Sequence, residues 1–130
     1  MLLNKEAILN AQDLQHEDVF VEEWKGTVRV RALTGAERDA FEASIVEGKG
    51  KNVKTNLKNI RAKLVALTVI NENGERLFND HEAQVLGTKS ASALDKVFEV
   101  AQRLSGLRDE DVEELAKNSE SDQSEDSISA

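Results

Sequence analysis

The whole net charge of this chain lies in its last 22 residues. Residues 109–130 hold nine acids against Lys117, a net of -8, whereas residues 1–108 hold 16 acids and 16 bases and are formally neutral. The final stretch, residues 118–130, reads NSESDQSEDSISA and has one large apolar residue, Ile128. Such a segment cannot bury enough apolar surface to offset its ordering entropy. The expected organisation is one domain over residues 1–117 followed by a disordered acidic tail over 118–130. A chain of 130 residues is one domain's worth and buries roughly two thirds of its unfolded surface. The acidity describes the tail and not the body, and it argues against nucleic acid as the tail's partner.

Composition removes several classes. The chain has no Cys, no Pro and no Tyr, so disulfides, cysteine metal sites and thiol nucleophiles are excluded. The aromatic residues are Trp24, Phe20, Phe41, Phe78 and Phe98, too few for a base-stacking platform. No apolar run approaches the roughly 20 residues of a membrane span. The opening MLLNKEAILNAQ carries Lys5 and Glu6 and does not read as a signal peptide. A soluble, cytoplasmic, mainly helical domain is expected.

Local patterns predict the elements. Asn4 can cap a short helix over residues 5–11. Residues 18–33 alternate with period two around Lys25-Gly26, which predicts a hairpin with Val28 and Val30 inward. Arg29 and Arg31 then point outward, near Glu22 and Glu23. Thr34 and Glu37 form a capping box, with Leu33 as a staple. That helix runs to about Glu47, with Ala36, Ala40, Phe41 and Ile45 on one face, and Gly48 stops it.

A central helix is predicted from Asn52 or Thr55 to Leu67, with a buried stripe of Leu57, Ile60, Leu64 and Leu67. On another side of it fall Lys54, Lys58 and Arg61. TVINENGERLF reads as two short strands around Asn73-Gly74. Asn79 with Glu82 caps a short helix to about Leu86. The clearest helix begins at Ser90 and ends near Ser105, with Leu94, Val97, Phe98, Ala101 and Leu104 on its core arc. Gly106 then Leu107 suits a glycine C-cap. Asp109 can cap a last acidic helix, DEDVEELAK. The fold class is therefore α+β, mainly α-helical, with an N-terminal β-hairpin packed on a small core of four to five helices.

Catalytic signatures are missing. There is no G-x-S-x-G, no phosphate-binding loop and no dinucleotide fingerprint. His16 and His81 sit near no motif. A calcium loop around Gly74 fails because Val69 would occupy its first ligand position. No cofactor or metal is expected, and a binding protein remains. Between Gly48 and Asn71 there are six bases and no acid. Lys54, Lys58 and Arg61 in this stretch are the candidate partner-binding residues, as a docking surface for an acidic partner or simply a solvated helix face.

Three blocks then carry a resemblance. DVFVEEWKGTVRVRALTGAERDAFE over residues 18–42 has an acidic lead, a tryptophan, a V-x-V strand and L-T-G-x-E-R-D opening a helix. RAKLVALTVINENGERLF follows over residues 61–78 as helix and hairpin. VFEVAQRLSGLRDEDVEELAKNSE over residues 97–120 has an L-x-G-L turn and a final acidic helix. Together they resemble the tail assembly chaperones of long, non-contractile-tailed bacteriophages.

The resemblance implies a non-enzymatic protein of the host cell cytoplasm, absent from the mature virion. It would bind the tape measure protein, keep it soluble and help recruit tail tube subunits. Its implied partners are the tape measure protein, the major tail tube protein, further copies of itself and a longer frameshifted form, with no nucleic acid or membrane. A slippery site is expected at the codons for Ala116, Lys117 and Asn118. The alternatives are a structural tail or connector protein retained in the virion and an acidic DNA-mimic inhibitor. The second needs carboxylates on a rigid surface, whereas the excess acid here is confined to the tail.

Overall fold

The computed structural model describes residues 1–48 and 54–107. The expected last helix and the acidic tail lie outside them, as do Asn52 and most of the glycine-containing loop.

Helix α1, Lys5–Asn10, begins where Asn4 Oδ1 accepts from the Ala7 amide at 2.8 Å. Strands β1, His16–Val21, and β2, Gly26–Arg31, pair antiparallel from His16 opposite Arg31 to Val21 opposite Gly26. Their connection is a four-residue turn rather than two residues around Lys25-Gly26. Glu22–Trp24 form one 3₁₀ turn, Lys25 takes the left-handed conformation at φ 55°, and Gly26 already belongs to β2. This geometry overturns the expected pairing of Arg29 and Arg31 with Glu22 and Glu23. Arg29 lies opposite Asp18 and donates to it at 2.7 and 3.1 Å. Arg31 reaches Glu37, and Glu23 in the turn accepts from Lys96. Val30 is fully buried and Val28 only partly so.

The capping box at Thr34 and Glu37 forms as the sequence predicts and opens helix α2, Gly35–Ser44. The helix stops short of Glu47, because Val46–Glu47 become β3 and pair with β4, Lys54–Thr55. Phe41 and Ile45 are buried, but Ala36 and Ala40 are exposed.

Helix α3, Ile60–Thr68, is shorter than its apolar pattern suggests. The expected start at Asn52 or Thr55 fails for backbone reasons. Thr55 pairs with Val46, Asn56 Oδ1 accepts from the Lys58 amide, and Asn59 is left-handed at φ 59°. A left-handed residue cannot lie inside a right-handed helix, and Asn tolerates that conformation better than most. Leu57 therefore falls outside the helix and is exposed, while Ala62 and Leu64 through Thr68 are buried. A helix apolar nearly all round belongs in a core centre. Thr68 Oγ1 satisfies its hydroxyl there by donating to the Leu64 carbonyl at 2.8 Å.

Strand β5, Val69–Ile70, follows directly and joins β2 on the edge away from β1, giving the order β1-β2-β5. The expected second arm after Asn73-Gly74 reduces to one bridge, Ile70 opposite Arg76. Asn71 Oδ1 holds the turn by accepting from the Asn73 and Glu75 amides. A capping box of Asn79 and Glu82 then starts a 3₁₀ turn, Asp80–Glu82, which runs into α4, Ala83–Leu86.

Helix α5, Ala91–Leu104, is capped by Ser90 and packs against α3 and the hairpin. Ala93, Leu94, Val97 and Ala101 form its buried face, while Phe98 and Leu104 are partly buried at the margin. At its end Gly106 takes φ 70°, Leu107 N–H donates to the Gln102 carbonyl at 2.9 Å, and Gly106 N–H donates to Arg103 at 3.3 Å. This paired pattern is a Schellman motif, and Leu107 is buried beneath it. The described residues thus form an α+β fold of five α-helices and a three-stranded antiparallel sheet, with a separate two-stranded ribbon.

Candidate functional site

The three bases singled out in the sequence do not share a helix face. Lys54 is in β4 opposite Glu47, Lys58 is in the turn before α3, and only Arg61 is in the helix. The expected stripe fails for the same reason as the expected helix start: the left-handed Asn59 separates Lys54 and Lys58 from Arg61. Arg61 is moreover ion-paired to Asp95 of α5. Lys58 faces a depression of about 530 Å³ between α2, α3 and the turn at Asp80, which also takes in Lys63, Asn56 and His81. Lys63 Nζ donates to the Ser44 carbonyl at 3.0 Å on its wall.

A second surface is more coherent. One end of the sheet opens into a groove of about 320 Å³ with almost no polar lining. The sheet contributes Val28 and Val69, and the hairpin turn contributes Trp24. The segment after β5 adds Leu77 and Phe78, and α4 adds Val85. Leu77 is 51% exposed and Val85 66% exposed, high for large apolar side chains. Glu82 and Lys89 supply one charge of each sign to the lining.

Local chemistry explains why these side chains end there. Glu23 accepts from Lys96 at 2.8 Å, which anchors the turn carrying Trp24 to α5. That ammonium, aided by the turn's own backbone and Ser92, lowers the Glu23 carboxyl to about 2. On the opposite side Arg76 donates to the Ala66 carbonyl at 3.1 Å and to Asp80 at 2.9 Å. These bonds fold the 71–79 segment back on α3 and place Leu77 and Phe78 beside α4.

Sequence periodicity missed this groove because most of its pieces are too short to carry a period: one 3₁₀ turn, a two-residue strand and a four-residue helix join Val28 of the six-residue β2. The available signals were Trp24 at a turn and Leu77-Phe78 after a polar turn. The structure places His16 on β1 and His81 in the 3₁₀ turn, and brings neither into a catalytic constellation. Among the described residues no group of three or more His, Asp or Glu side chains is placed to hold a metal ion. No helix among them is long and apolar enough to cross a membrane.

What these features define is a small α+β domain with an open, mostly apolar groove beside its three-stranded sheet. The chain belongs to the phage tail assembly chaperone family, whose model matches residues 3–118. A solved structure, that of the bacteriophage HK97 tail assembly chaperone, aligns with a TM-score of 0.48 at 16% identity, over 73% of this chain and 94% of that one. No curated protein matches the chain in sequence.

Proposed function

We propose that this chain is a non-enzymatic assembly factor of a long-tailed phage that binds helical segments of the tape measure protein in the host cytoplasm. It keeps that protein soluble and helps gather tail tube subunits around it. The observation that carries this reading is the apolar groove of Trp24, Val28, Val69, Leu77 and Val85 in a member of the tail assembly chaperone family. A tape measure protein presents amphipathic helices before assembly, and a groove of this kind accepts the apolar face of a helix. Many modest contacts along one long client add through effective concentration. Lys54 and Lys58 lie elsewhere on the surface and would add electrostatic steering towards acidic stretches of the client.

Co-expression with the tape measure protein tests this. The client should be soluble and co-purify with the chain, and Leu77→Glu or Val85→Glu should weaken the complex at least tenfold. Equal solubility without the chain would overturn the reading. Mass spectrometry of purified particles should find the chain absent; abundant chain would support a connector instead. The accompanying genetic expectation is a slippery heptamer over Ala116, Lys117 and Asn118, such as A-AAA-AAC, with an open frame at minus one. A nucleotide sequence that cannot form one would discard that placement.

A further inference from the structure

The depression between α2, α3 and the turn at Asp80 is lined by two cations, Lys58 and Lys63. Every arginine among the described residues is ion-paired. These two lysines have no carboxylate partner among the described residues. Lys63 Nζ donates to the Ser44 carbonyl, a neutral acceptor. Asp80, the one carboxylate in the lining, is engaged by Arg76 at 2.9 Å. Amides of Asn59 and Gln84 and the imidazole of His81 complete a polar wall. Such donors suit carboxylates and hydroxyls, not large apolar groups.

The chain carries a segment of that chemistry. Residues 118–130 hold Glu120, Asp122, Glu125 and Asp126 with no base, five serines, and Ile128 as their one large apolar side chain. We infer that this acidic tail docks in the depression of its own chain and screens Lys58 and Lys63 from acidic partners. Composition directs the tail to this polar surface, since one isoleucine offers little to the apolar groove beside the sheet. Reach agrees. The Leu33 amide donates to Ser105 Oγ at 3.0 Å, so the end of α5 and the start of α2 lie together. From there α2 runs ten residues to Ser44 on the wall of the depression, a length of about 15 Å. Residues 108–117 cover about 15 Å if helical and about 33–36 Å if extended, so the tail reaches the depression either way. A tether of this kind holds the tail at an effective concentration in the millimolar range, which favours the chain's own tail over that of a second copy. Exposed charge pairs add little to stability, so folding does not depend on the contact. Its effect is on binding: an acidic stretch of a partner must displace the tail before it meets Lys58. That consequence rests on the steering role proposed for Lys58, whereas the docking itself does not.

The chain has no Cys, so Ser124→Cys gives a single attachment point for a nitroxide on the full chain. At about 10 mM salt, where charges act over about 30 Å, the nitroxide should broaden the amide signals of Lys58, Lys63 and His81. The broadening should vanish at about 1 M salt, where the range falls to about 3 Å, and in Lys58→Glu/Lys63→Gln. Lys58→Glu alone, at an exposed position, should remove most of it. An equimolar mixture of isotope-labelled natural chain and unlabelled nitroxide chain should show none. A fluorescent polyglutamate peptide should bind the chain carrying Glu120→Gln, Asp122→Asn, Glu125→Gln and Asp126→Asn at least about threefold more tightly than the natural chain at low salt, and Lys58→Glu should abolish the gain. No broadening at low salt, broadening that survives high salt and both lysine variants, or broadening centred on Leu77 and Val85 would each overturn the inference. So would broadening in the mixture, which would assign the tail to a second copy, or equal peptide affinity for the two chains. If docking and peptide binding behave as expected but a tape measure fragment binds both chains equally, the inference stands and the steering role of Lys58 falls.

Discussion

Arg31 and Glu37 meet through two parallel hydrogen bonds of 2.7 and 2.9 Å, across the junction where β2 ends and α2 begins. The same Glu37 carboxylate accepts from the Thr34 amide at 3.0 Å to close the capping box. One side chain therefore starts a helix and ties it to the sheet. The Arg31 guanidinium, aided by the Thr34 backbone and hydroxyl and opposed by burial, holds the Glu37 carboxyl at about 2. The pair raises Arg31 in turn.

Because Glu37 is depressed in the folded state and ordinary in the unfolded chain, its stabilisation is complete above about pH 5. It is lost as pH falls towards 2, where the folded carboxyl also takes up a proton. Glu37→Gln should cost on the order of 1–2 kcal/mol at pH 7 after allowance for partial solvent screening. The deficit should shrink towards zero near pH 2. Urea unfolding at pH 7, 5 and 3 measures this; a deficit independent of pH would assign the loss to the cap alone.

Leu64→Ala should destabilise by about 2–5 kcal/mol, since Leu64 is fully buried at the centre of α3 and truncation leaves a cavity. Phe98→Ala should cost less than that, because the ring lies at the margin of the core. Thermal melts of the two variants give the order directly. A larger loss at Phe98 would restore the helical-arc expectation from sequence, in which Phe98 is as central as Leu94 and Val97.

Gly106→Ala should lose about 1–2 kcal/mol. Space is not the reason, because a β-carbon there meets nothing within 4 Å; the cost is the backbone at φ 70°. Gly106→Asn should recover part of the loss, since Asn enters this region more readily. Equal melting points for the natural chain and Gly106→Ala would mean that the α5 terminus is not held in this conformation in solution.

Charge reversal at Lys54 and Lys58 is expected to leave stability within about 0.5 kcal/mol, and to reduce client binding together with its salt dependence. Arg61→Glu is a separate experiment: it sets a second acid against Asp95 and should cost up to about 1 kcal/mol of stability. Titrations at two salt concentrations separate them. Client affinity unchanged by Lys54→Glu/Lys58→Glu would leave those lysines as solvated surface.

Residues 118–130 should be dispensable for folding, because their composition offers one large apolar side chain to any core. Ending the chain after Lys117 should shift the melting temperature by a degree or two at most. A drop of many degrees would mean that the acidic segment packs on the body.

Elements governed by local chemistry were legible in the sequence. The caps at Asn4, Thr34, Asn79 and Ser90 and the glycine stop at Gly106 all act within a few residues, and each stands where its pattern puts it. The start of α3 was not legible, because its apolar spacing runs straight through a site where Asn59 reverses the backbone hand. Ion-pair partners were lost with the turn geometry, since a 3₁₀ turn rotates Glu23 towards Lys96, 73 residues away. The groove depends on three-dimensional neighbours drawn from five short pieces, and no single window of sequence contains it.

The hydrogen bonds from Ala32 to Gln15 and from Leu33 to Ser105 have a geometric consequence. They gather the entry into β1, the exit from β2 and the end of α5 at one pole of the molecule, while Trp24 stands at the other. A polypeptide continued beyond residue 107 thus starts out at the pole away from the hairpin turn that carries Trp24. Additions there can vary in length and sequence while the opposite pole keeps its access to solvent, which makes this end of the domain the natural place to attach cargo, a label or a second module.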